Sequence, residues 1–439
     1  AAAQQGRLAL GRLTRRPAHL RGGAAASVVD QIVSSASNFL VLALVARATG
    51  PESYALFAGA LAVYLFALGV QRALVVEPMV LMAGRDPFWA VAQSRRASRR
   101  VASGAAVVLA VAASVATVLG ASPQLNLTVG VLVVTVPALL AQDLARWRFL
   151  ALRRANEALR NDVIFAVGEL SLIFALLMLD LVNVPAALLA VAAGGVAASV
   201  DGARRLPTPP PQGASFAGAA AAPRVKGWLL VDFVCTWLNG QAALFIVVAV
   251  ATSREAGVFR AVNDLFGPLR VIQLSLLTVL LPTGAAAFAG GQGAALRRTV
   301  RRAAVPAVAV SVAFCLVAAA VGPQVLVAVF GAEFRTGRGI VFVLAVVSLL
   351  VTVQVPFIAG LKAAYEARIL ALARVATTLP TLALLIVGTA AAGLRGAAVA
   401  LLVATVLRVA VFAVLFARRT RAAPGGRSAG AATRDTLPE

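Results

Sequence analysis

Of the 439 residues 61% are hydrophobic and 13% charged, and one histidine with two cysteines supplies no donor set for a metal centre. A formal net charge of +23 would suit a nucleic-acid binder in a water-soluble chain. A mean hydropathy of +0.91 and apolar runs of about 18 to 25 residues, each able to cross a hydrocarbon core of roughly 30 Å, instead define a polytopic membrane protein. In chain order, residues 1–23 read as a basic cytoplasmic tail, too polar for a signal peptide. Twelve spans follow, at about 24–46, 54–83, 101–120, 125–145, 163–182, 184–201, 226–250, 257–288, 304–321, 339–359, 369–391 and 394–416. Their uniform apolarity lacks the alternation of a membrane barrel, so they are predicted to be α-helices. Residues 202–225, rich in proline, alanine and glycine, read as a flexible cytoplasmic linker, and residues 420–439 as a second disordered cytoplasmic tail.

The halves on either side of the linker look duplicated. RRASRR at Arg95–Arg100 and RRTVRR at Arg297–Arg302 lie 202 residues apart with their arginines in register. The same offset maps Ala55-Leu56-Phe57 onto Gly257-Val258-Phe259, and Gly120 onto Gly322, each at the end of an apolar segment. LRRANEA from Leu152 and LKAAYEA from Leu361 match at 209, which puts about seven extra residues in the second half, in the polar loop Phe330–Gly339. The expected architecture is all-α: two pseudo-equivalent six-helix lobes, 24–201 and 226–419, around a central cavity.

Most of the charge is topological. With the N-terminus placed inside, inner loops and tails hold 31 of the 40 lysines and arginines, whereas outer loops hold Arg47, Arg254, Arg260, Arg335, Arg338 and Arg395. That asymmetry is what the positive-inside rule demands, and both termini are then cytoplasmic. The clusters need no further role than orientation and attraction to anionic membrane lipids. There is no aromatic–basic surface for nucleic acid, no phosphate loop and no nucleophile elbow, so neither a nucleic-acid partner nor a cofactor is expected, nor an enzyme.

TGPESYALFAGAL after span 1, EAGVFRAVNDLFGPLRVIQLSLLTVLLP in span 8, VFGAEFRTG and GLKAAYEAR together resemble the polysaccharide-export branch, of O-antigen and teichoic-acid type, of the multidrug/oligosaccharidyl-lipid/polysaccharide flippase superfamily. The likeness runs from Ala24 to Arg419. It implies a flippase of the bacterial plasma membrane that carries a polyprenyl-diphosphate-linked oligosaccharide outward for surface polysaccharide assembly, beside glycosyltransferases or a polymerase. Twelve spans rather than fourteen set the chain apart from lipid II flippases. A cation-coupled exporter of drugs or metabolites from the same superfamily, and a non-transporting scaffold of a polysaccharide-assembly complex, are the alternative readings.

The polar residues inside the spans are the candidate site. Gln31, Ser34, Ser35 and Asn38 fall on one face of span 1, and Asp232, Cys235, Thr236 and Asn239 repeat the stripe on span 7. Such a face either lines a cavity or hydrogen-bonds to neighbouring helices. Arg72 in span 2 and Arg270 in span 8 are too deep to snorkel easily, and Arg270 shares a face with Asn263 and Gln273. A guanidinium there needs an anion, and its planar fork suits a diphosphate. The competing role is an internal ion pair, Arg72 with Glu77 or Arg270 with Asp264. Asp143 is expected to pair with cytoplasmic arginines, and Arg408 to snorkel. Glu77, Glu169, Asp232 and Asp264 are the candidates for coupling to a proton or cation.

Overall fold

The computed structural model describes residues 18–83, 87–206, 223–289, 293–364 and 367–421, with side chains from residue 33. Most of the first tail, nearly all the linker and nearly all the last tail lie outside the described residues. What is described is almost wholly helical, because a backbone passing through lipid must satisfy its own N–H and C=O groups.

The first six crossings are built from α1 (Ala18–Gln71), a π-helical turn (Arg72–Val76), α2 (Glu77–Ala83), α3 (Pro87–Val118), α4 (Pro123–Ala151), α5 (Ala155–Met178) and α6 (Val184–Arg205). The second six follow as α7 (Pro223–Val250), α8 (Ser253–Asp264), α9 (Gly267–Ala289), α10 (Gly293–Phe330), a 3-10 segment (Ala332–Ile340), α11 (Val341–Ala363) and α12 (Ala367–Arg421). Among the described residues ten helical stretches are long and apolar enough to cross a membrane. Two of them are pairs of crossings joined at a bend, α1 at Gly50 and α12 at Ala392–Gly393. The expected twelve are therefore present. Gly50 has φ +74°, a left-handed conformation that a Cβ would oppose. Where crossings start within short turns, a side chain supplies the cap: Ser122 accepts from Leu125 N, Asn183 from Ala186 N and Thr252 from Glu255 N.

Two expectations fail. Gly120 follows the end of α3, but Gly322 lies inside α10, which runs unbroken to Phe330. Its role is packing, since a Cβ there would lie 2.9 Å from Val341 Cγ1. The polar loop after Phe330 is instead an ordered 3-10 segment whose Phe334 is fully buried, its ring 6.0 Å from that of Tyr54.

By contact the chain divides into two compact units. The first holds the described residues up to Val41 and from Ala67 to Leu206; the second holds Leu42–Phe66 and everything described from Pro223 onward. In the first, α4 packs on α3 and α6, and α6 on α5. In the second, α12 packs on α7 and α11, while α9, α10 and α11 pack on one another. Between lipid-embedded helices burial of apolar area gives little drive, so close approach of small residues and polar bonds has to hold them. Gly257 illustrates this within the second unit: a Cβ there would lie 1.8 Å from Pro51 O. The turn between the first two crossings is thereby seated on α8, with Tyr54, Phe57 and Ala58 all fully buried.

Candidate functional site

In the first unit the π-helical turn presents Arg72 to α4. A π turn carries one residue more than an α turn, which re-aims the side chain at its start. The guanidinium donates from Nη2 to Asp143 Oδ1 at 2.6 Å and from Nε to Oδ2 at 3.3 Å, and it lies 5.8 Å from the centre of the Trp147 ring. A described partner of Arg72 is thus Asp143, 71 residues away on α4, a pairing that the sequence did not suggest. Its carboxylate is buried while 40% of the Arg72 side chain is exposed. Glu77 itself is exposed. Deeper in the unit, Asp162 accepts from Gln142 Nε2 at 3.0 Å and pairs with Arg146 at 2.9 Å. Gln142 also reaches Asn161, which donates to Ala198 O. Glu169 on α5 is 1% exposed, and its Oε1 has no partner among the described residues. Asn38 does not extend from α1: its side chain folds back onto Ser34 O at 2.6 Å.

In the second unit the expected pair of Arg270 and Asp264 is present but long, at 3.7 Å, and 48% of the Arg270 side chain is exposed. The closer partners of Asp264 are Arg260, at 2.8 Å, and the Tyr54 hydroxyl, which donates at 2.7 Å. Arg260 therefore is not an outer-loop charge; it is buried on α8 and also donates to Gln241. Span 8 breaks after Asp264, so Asn263 lies in the last turn of α8 while Arg270 and Gln273 belong to α9. Gln273 donates to Thr352 Oγ1 at 3.2 Å, an interhelical bond.

A second cluster gathers around α7. Asp232 pairs with Lys362 at 3.0 Å and with Arg374, whose guanidinium also lies over the Phe412 ring. Asn239, two turns along α7, donates to Cys235 O and to Thr378 Oγ1, both at 2.7 Å. Arg408 lies within Coulombic reach of Arg374. It does not snorkel: it is 7% exposed, donates to Thr405 Oγ1 at 2.7 Å, and forms no ion pair among the described residues. Among the described residues of this cluster, three cations thus stand beside one carboxylate. Lys362 and Arg374, assigned by sequence to an inner loop, and Arg408 are functional candidates that sequence reasoning missed. Their one legible signal was position, since each lies next to an apolar run. The described residues contain no group of three or more His, Cys, Asp or Glu able to hold a metal ion.

This all-α, twelve-crossing fold is that of transporters of the MOP superfamily. A multidrug resistance MATE family transporter of that superfamily in its inward-facing conformation superposes with a TM-score of 0.75 at 14% identity, over 92% of this chain and 100% of the other. An outward-facing conformation of such a transporter gives 0.67 at 16% identity, over 91% and 94%. A MOP superfamily transporter from Pyrococcus furiosus Vc1 (DSM3638), described as having a binding pocket of reversed polarity that suggests a different function, gives 0.67 at 16% identity, over 93% and 97%. No protein-family model and no curated protein sequence matches the chain.

Proposed function

We propose that this protein moves a polyprenyl-diphosphate-linked oligosaccharide across the membrane by alternating access, for surface polysaccharide assembly. The observation that carries the reading is local: around α7, Lys362, Arg374 and Arg408 stand beside the single described carboxylate of Asp232, and the side chains of Arg72 and Arg270 are 40% and 48% exposed. A buried guanidinium without a carboxylate is costly unless an anion meets it, and a diphosphate offers the geometry its donors prefer. An exporter of cationic drugs would require the opposite sign. The Pyrococcus protein, with reversed pocket polarity and a suggested different function on this fold, supports reading pocket sign as a guide to substrate sign. Asn239, Asn263 and Gln273 would then orient sugar hydroxyls or the diphosphate. Glu169, with one oxygen unpartnered, is the group best placed to couple transport to a proton or cation.

The test is surface polysaccharide in a host lacking its own flippase. Arg374→Gln and Arg408→Gln should each reduce export at least about tenfold with membrane insertion unchanged, a loss that matches one charge-assisted bond. Arg408→Lys should retain part of the activity, because a point charge remains without the fork. Full export by the Arg374→Gln/Arg408→Gln double variant would defeat the reading. The drug-exporter reading is favoured by the buried carboxyl of Glu169 alone; it predicts that Glu169→Gln raises drug accumulation whereas Arg408→Gln leaves it unchanged.

A further inference from the structure

The second unit contains a pocket of about 530 Å³ between α10, α11 and α12. Its volume lies within the roughly 300–1,000 Å³ of small-molecule sites. The pocket is two-faced: Arg297, Arg298 and Arg301 stand on the first turns of α10, and Val353, Phe357 and Phe416 form the apolar wall opposite. Spacings of three and four residues put the arginines on one helical face. Arg297 is engaged, donating to Thr420 O near the end of α12 at 2.6 Å, which fixes the basic end of the pocket. Arg298 and Arg301 are exposed and form no ion pair among the described residues, and no carboxylate lines the pocket.

We propose that this groove is a binding site for an anionic phospholipid of the surrounding bilayer, its phosphate on Arg298 and Arg301 and an acyl chain along Val353, Phe357 and Phe416. Three features select that occupant. The cations sit where the apolar part of α10 begins, as residues meeting lipid phosphates would, on the side that the loop charges assign to the anionic cytoplasmic leaflet. Neighbouring α10 side chains such as Val305 and Val310 are more than half exposed, so the helix flank meets hydrocarbon rather than water. A ligand entering sideways from that solvent must be an amphiphile with a negative head and an apolar tail. The inference does not depend on which substrate the protein carries.

Native mass spectrometry of the purified full-length chain, titrated with phosphatidylglycerol or with phosphatidylcholine of the same acyl chains, reads the site directly. One phosphatidylglycerol should be retained in preference to phosphatidylcholine. Arg298→Gln/Arg301→Gln should weaken it by about fivefold per arginine removed. Val353→Trp, which fills the groove without changing charge, should weaken phosphatidylglycerol as well. Arg96→Gln/Arg99→Gln, at the corresponding turn of α3, should leave its affinity within twofold. Equal losses from the two arginine pairs would mean diffuse attraction to a basic surface, and would overturn the proposal. So would unchanged binding in both Val353→Trp and Arg298→Gln/Arg301→Gln, or displacement of phosphatidylglycerol by an equimolar polyprenyl diphosphate, which would assign the groove to a transport substrate.

Discussion

Asp264 is the most connected carboxylate in the second unit, and its removal makes an asymmetric prediction. It accepts from Arg260 at 2.8 Å and from the Tyr54 hydroxyl at 2.7 Å, with Arg270 at 3.7 Å beyond. Asp264→Asn preserves shape and an acceptor for Tyr54 but removes the charge. Arg260, whose side chain is 6% exposed, then keeps only the uncharged Gln241 and Tyr54 as described partners. Leaving one member of a buried pair uncompensated costs about 3–5 kcal/mol. Arg260→Met should cost less, about 1–3 kcal/mol, because Asp264 keeps its bond from Tyr54 and the Arg270 charge. The Arg260→Met/Asp264→Asn double variant removes the buried Arg260 charge as well, leaving only the half-exposed Arg270 without its carboxylate, and should be more stable than Asp264→Asn alone, by about 2 kcal/mol or more. Equilibrium unfolding in mixed micelles, followed through the four tryptophans, measures all three. A double variant no more stable than Asp264→Asn, or an Arg260→Met variant costlier than Asp264→Asn, would refute the account of Asp264 as a carboxylate held by several donors.

Three further outcomes are expected. If the Arg72–Asp143 contact is purely structural, Arg72→Glu should be rescued by Asp143→Arg in both folding and export; if the exposed part of Arg72 meets substrate, folding alone should recover. Gly257→Val should lower thermal stability by more than Gly240→Val, as measured by monodispersity after heating, because a Cβ at Gly257 collides with Pro51 O whereas Gly240 has nothing within 4 Å. For topology, cysteine at exposed Gln93 should resist an impermeant thiol reagent in intact cells and cysteine at exposed Gln124 should react, with native Cys235 and Cys315 silent because they are buried. The reverse labelling would invert the orientation.

The crossings were legible because each is a local property: a run of apolar side chains long enough for the bilayer. So was the Arg270–Asp264 pair, whereas the closer partner Arg260 reads in the sequence as an outer-loop charge. What could not be read were the lateral partners. Asp143 lies 71 residues from Arg72, and Asp232 lies more than a hundred from Lys362 and Arg374; which cation a carboxylate meets depends on helix neighbours that hydropathy does not encode. Gly322 misled for a related reason. A glycine at the end of an apolar window looks like a stop, but beside Val341 it permits close helix packing, and the apolar sequence beyond Pro323 lets α10 continue.

Leu42–Phe66 belongs by sequence to the first half and by packing to the second unit. The two halves are therefore not severable at the linker. A chain cut between residues 206 and 223 would strand Tyr54 on a fragment that lacks Asp264 and Phe334, its hydrogen-bond and ring partners, so co-expressed halves should accumulate only together. The chain passes into the second unit after Val41 and back into the first after Phe66, so the units are joined covalently at both ends of this segment as well as through the linker.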